Sequence, residues 1–80
     1  MNNTELQHIL RKARDAKNGA FGVLSTGEKL AVALVLNRPE WLVDMNYTLA
    51  EAIERVGAEW LALIPTAERM LRDEEDAGNG

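Results

Sequence analysis

The sequence predicts an all-α fold, a small bundle of four to five short helices around a buried central helix. Three observations predict it. A Ser or Thr stands three residues ahead of a Glu or Gln at Thr4 and Gln7, at Ser25 and Glu28, and at Thr48 and Glu51. That is the pattern of a capping box, in which the hydroxyl and the later side chain satisfy early backbone N–H groups reciprocally. Apolar residues recur at the three- and four-residue spacing of one helix face, and Gly, Asn and Pro fall between those stretches, where chains turn.

Thr4 with Gln7 opens a first helix whose Leu6, Ile9, Leu10, Ala13 and Ala16 share one face, and Asn18 and Gly19 are its expected end. Arg11, Lys12, Arg14 and Lys17 gather in its last turns, where the helix macrodipole favours positive charge. Residues 20–24 suit either extended chain or a helical turn, with Phe21 buried in both. Ser25 with Glu28 precedes an unbroken apolar run over residues 30–36. A buried strand would share that run, but the Ala content, the cap and the stop at Asn37, Arg38 and Pro39 favour a helix of about ten residues. A helix apolar on every side must be surrounded by the other elements, which makes it the expected centre of the fold.

Pro39 suits a first helical position because its missing N–H would be unpaired there in any case, so residues 39–45 read as a short helix turning Trp41, Leu42 and Met45 inward. Thr48 with Glu51 starts a helix carrying Leu49, Ala52, Ile53 and Val56 on one face, and Gly57 ends it. From Ala58 the pattern runs through Trp60, Leu61 and Ile64, then through Ala67, Met70 and Leu71. Pro65 is expected to divide this segment into two pieces, because its ring clashes with the carbonyl four residues earlier. There is no internal repeat or linker. The expected organisation is one helical domain over residues 1–72 and a disordered acidic tail over residues 73–80.

A chain of 80 residues suits one domain, and at that size it buries only about 60 to 65% of its unfolded surface. It has no cysteine, so packing alone must hold it together, and a reducing compartment is expected. Met1 is followed by Asn2, Asn3, Thr4 and Glu5 without a basic and then apolar leader, and no apolar run approaches the roughly 18 to 20 residues of a membrane span. A soluble cytoplasmic protein without membrane contact is the expectation. Of the net charge of −4, residues 1–17 contribute +2 and residues 18–72 contribute −2, while Asp73, Glu74, Glu75 and Asp76 carry the remainder.

No catalytic, cofactor-binding or metal-binding residue is assigned. The chain has one histidine and no carboxylate cluster at ligand spacing before residue 73. His8 has Thr4, Glu5, Arg11 and Lys12 as its helical neighbours, which describes a polar surface. Ser25, Thr4 and Thr48 are accounted for as caps, with no Gly-x-Ser-x-Gly turn. Gly19, Gly22 and Gly27 read as turn glycines, since no Walker lysine and serine follow them. Glu51 with Glu54 and Glu40 with Asp44 fall at outward helix positions.

Two non-catalytic readings remain. Residues 48–57 with the helix after them resemble the first half of a helix-turn-helix, with Ala52 at the small-residue contact and Gly57 at the turn. Yet residues 58–65 offer Glu59 as their only charged group, where a recognition helix needs donors for base edges. The favoured reading is a protein–protein interaction module, bound to an unknown protein partner or to a second copy. Trp41, Tyr47 and Trp60 are its candidate partner-binding residues, because large amphipathic aromatics dominate interfaces when they are not core.

The stretches NGAFGVLSTGEKLAVALVLNRP over residues 18–39 and YTLAEAIERVG over residues 47–57 are similar to short uncharacterised proteins carried on proteobacterial plasmids, prophages and genomic islands. The resemblance implies a bacterial cytoplasm and a mobile-element accessory or inhibitory role. It transfers no catalytic or binding residue.

Overall fold

The computed structural model describes residues 3–79, and it places helices α1 (Asn3–Asp15), α2 (Thr26–Val35), α3 (Pro39–Asp44), α4 (Leu49–Val56) and α5 (Ala58–Asn79). No strand occurs among the described residues. Residues 1, 2 and 80 of the expected domain and tail lie outside them.

The expected central helix forms around its cap. Ser25 Oγ accepts from the Glu28 N–H at 3.2 Å and Glu28 Oε1 accepts from the Ser25 N–H at 3.0 Å, so α2 starts at Thr26. It stops at Asn37, whose φ of +56° lets the Arg38 N–H reach the Ala33 carbonyl at 2.8 Å and the Asn37 N–H reach Leu34 at 3.2 Å. This six-to-one and five-to-two pair satisfies carbonyls that a helix end would otherwise leave open. Asn46 ends α3 in the same way, with φ +62° and a Tyr47 N–H bond to the Leu42 carbonyl at 2.9 Å.

Because α2 is apolar around its circumference, it serves two cores. Val32 and Val35 pack with Ile9, Leu10 and Ala13 of α1, with Ala16 just after it, and with Ala67 and Leu71 of α5. Leu30 and Ala33 pack with Leu42 of α3 and Ala52 of α4. Trp41 touches both cores and joins them. Fully burying a Leu, Ile or Val is worth about 1.5 to 3 kcal/mol, so Ile9, Leu10, Leu30 and Val32, the largest fully buried side chains, anchor the molecule.

After Asp15 the chain runs on through a π-helical turn, Ala16–Ala20, in which Gly19 leaves the helical path at φ +97° and turns the chain. The open assignment over residues 20–24 resolves into one tight helical turn, Phe21–Val23, followed by extended Leu24. Phe21 is half-buried, with its ring centroid 4.5 Å from that of Trp41 and Lys29 Nζ 5.6 Å from its own centroid.

Four expectations are corrected. Thr4 does not cap α1, which has already begun at Asn3. Leu49 and Ile53 do not join the core: α4 rests on α2 through Ala52, and its next face outward leaves Leu49 59% and Ile53 41% exposed. Pro65 does not divide the last segment. It sits exposed inside a continuous α5, where Trp60, Leu63 and Ile64 before it and Ala67, Met70 and Leu71 after it all pack on one core. A proline removes one backbone bond and crowds one carbonyl, whereas a break would free more backbone groups and disrupt that shared face. The acidic residues expected to be disordered instead continue α5 to Asn79. There Glu74 accepts from Arg14, with Nε at 3.2 Å from Oε1, and Glu75 accepts from Lys17.

Candidate interaction groove

Two helix starts and the middle of α1 meet at one open groove of about 540 Å³. The first turn of α2 supplies Ser25, Gly27 and Glu28, and α1 supplies His8. The α4–α5 junction supplies Val56, Gly57, Ala58, Glu59 and Trp60. The junction is this tight because Gly57 serves both helices. Its N–H bonds to the Ile53 carbonyl at 3.2 Å and ends α4, and its carbonyl accepts from the Leu61 N–H at 3.0 Å and begins α5. Its φ of +89° is a conformation that glycine adopts without strain.

The polar side of the groove is a connected network. His8 Nε2 lies 2.9 Å from Glu28 Oε2. Bonds from the Ser25 backbone N–H and from His8 hold the Glu28 carboxyl below its usual pKa, with Lys12 adding a favourable charge. Glu28 is therefore an acceptor at neutral pH, and the imidazole donates. Behind it, Trp60 Nε1 donates to Glu5 Oε2 at 2.7 Å. The Trp60 ring meets His8 edge-on at 5.2 Å between centroids and 67° between planes. These contacts fix the indole from α1, leaving the ring as one wall of the groove.

Of the three candidate partner-binding residues, Trp60 lines this groove; Trp41 and Tyr47 do not. Trp41 is half-buried between the two cores, and Tyr47 is half-buried against the core of Leu30, Ala33, Leu42 and Ala52. His8 is not a free surface histidine, since its partners come from α2 and α5, which its neighbours in α1 could not reveal. Glu28 was legible only as a cap, and Glu5 and Glu59 carried no signal at all. Ser25 Oγ is engaged by the Glu28 N–H in the cap.

Elsewhere, Glu40, Asp44, Glu51 and Glu54 are exposed, as their helix positions imply. Among the described residues no group of three or more His, Cys, Asp or Glu side chains could hold a metal ion, and no helix is long and apolar enough to cross a membrane.

The fold and the groove define the class: a small all-α protein with an aromatic and acidic groove at a helix junction. No family model, curated protein or solved structure matches the chain.

Proposed function

We propose that this protein is a non-catalytic interaction module that binds a segment of a partner protein along the outer face of α4 and into the groove at its C-terminal end. The observation that supports this is a continuous apolar stripe. Leu49, Ile53 and Val56 are spaced four and three residues apart, so they share one helix face. Leu49 and Ile53 stand exposed, and Val56 lines the groove beside Trp60. Such a stripe suits an apolar segment laid against a helix. It is narrow against the roughly 800 Å² per partner that a stable dimer buries, which favours a partner segment over a second copy.

The nucleic-acid alternative draws less support. Of the basic residues on α1 and just after it, Arg14 and Lys17 are paired with Glu74 and Glu75. The exposed residues in the first turns of α5 are Ala58, Glu59 and Ala62, none of which donates from its side chain to a base edge. A single residue, Gly57, separates α4 from α5, whereas a helix-turn-helix uses a turn of about three to four. A cytoplasmic setting, and an accessory or inhibitory role on a mobile element, extend this proposal through the resemblance of residues 18–39 and 47–57.

The test compares tagged wild-type protein with Ile53→Glu in parallel co-purifications, with and without nuclease and a salt wash. A protein that survives nuclease treatment on the wild type and is lost from the variant is the expected result. Recovery of nucleic acid that salt removes, with no protein partner, would overturn the reading in favour of a regulator. Concentration-dependent sedimentation abolished by Ile53→Glu would replace the partner with a second copy.

A further inference from the structure

The lining of the groove indicates what chemistry the partner brings, which rests on the interaction reading and narrows it. We infer that the groove receives the cationic end of an Arg or Lys side chain of the partner segment, seated against the Trp60 ring between Glu28 and Glu59.

Charge is the first argument. Glu28 and Glu59 line the groove, Glu5 accepts from the Trp60 indole, and none of the lining residues is Lys or Arg. The cation that acts on Glu28 is Lys12, which does not line the groove. Two of the four lone-pair sites of Glu28 are used by Ser25 and His8, so the carboxylate keeps acceptor capacity for a further donor.

The aromatic wall is the second. A cation within about 6 Å of an indole centroid is attracted by the ring's quadrupole. Here Glu5 and His8 hold that ring in one orientation before anything binds, so little ordering remains to oppose binding. Val56 and Ala58 offer apolar surface to the aliphatic stem of the entering side chain, whose charged head reaches the carboxylates. Arginine should bind better than lysine, because its planar fork both stacks on an indole and meets a carboxylate through two bonds.

Titrations followed through the two indole N–H resonances of the isotope-labelled protein test this. The probes are N-acetyl-arginine methylamide, its lysine counterpart, and the uncharged norleucine and acidic glutamate analogues. The Trp60 resonance should shift saturably with arginine, less tightly with lysine, and not with norleucine or glutamate, while Trp41 between the cores stays still. Glu59→Gln, an exposed position, should weaken arginine binding about two- to fivefold, the size of one exposed ion pair. Equal shifts from norleucine would overturn the inference, as would an arginine titration that leaves the Trp60 resonance unmoved. Such a failure leaves the Ile53→Glu comparison standing, since that depends on the apolar stripe of α4 and not on Glu59; loss of both results would remove the interaction reading itself.

Discussion

His8 Nε2 lies 2.9 Å from Glu28 Oε2, linking the middle of α1 to the first turn of α2 across 20 positions of sequence. Glu28 thereby does two things at once: it closes the cap of the central helix and fastens a neighbouring helix to that cap.

Replacing Glu28 with Gln should therefore destabilise the protein by about 1 kcal/mol, the usual scale for a helix cap and a charge-assisted bond weakened together. The pH dependence has a definite sign. The carboxyl pKa is lowered in the folded state, so its stabilisation is present above the unfolded value and is lost as pH falls through the folded one. Urea unfolding at a series of pH values should show the gap between wild type and Glu28→Gln widest near neutrality and closing in acid. A gap independent of pH would mean that the anion contributes nothing.

The acidic end of α5 is held by Arg14 and Lys17, and these contacts are exposed. Arg14 holds the Glu74 carboxyl below its usual pKa, so this attachment too weakens in acid as Glu74 protonates. Exposed pairs add little to global stability and are screened by salt. The double variant Glu74→Gln, Glu75→Gln should leave the melting temperature nearly unchanged yet lose amide protection over residues 73–77, and high salt should do the same to the wild type. Unchanged protection would show that helix propagation alone orders this end.

Pro65 is exposed within α5, so exchanging it removes no core contact. Pro65→Ala restores an N–H for the Leu61 carbonyl and relieves the ring's crowding, against a loss of unfolded-state restriction of up to about 1 kcal/mol. The net expectation is a gain of roughly 1 to 2 kcal/mol, since proline costs about 3 kcal/mol more than alanine inside a helix. Denaturant unfolding measures it, and a destabilised variant would mean that Pro65 itself helps fit both halves of α5 to the core.

Elements whose cause lies within four residues were legible without a structure. Ser25 with Glu28 and Thr48 with Glu51 form both bonds of their capping boxes. Gly19 and Gly57 end helices with positive φ, and Pro39 begins one. The central position of α2 was legible for a related reason: a helix apolar all round has nowhere stable to be except among other helices.

What sequence could determine was thus the helices, most of their ends and the identity of the central one, because caps, turns and apolar periodicity are local. Tertiary structure alone decided that α5 runs through Pro65, since a penalty at one residue is outweighed by a core face spanning both sides of it. It alone brought the acidic residues after position 72, helical to Asn79, beside Arg14 and Lys17. It alone left Leu49 and Ile53 outside, because α4 approaches α2 through Ala52, and no spacing rule says which edge of an apolar face will meet its neighbour. The groove belongs to the same class: His8, Glu28 and Trp60 come from three helices, and only packing brings such distant positions into contact.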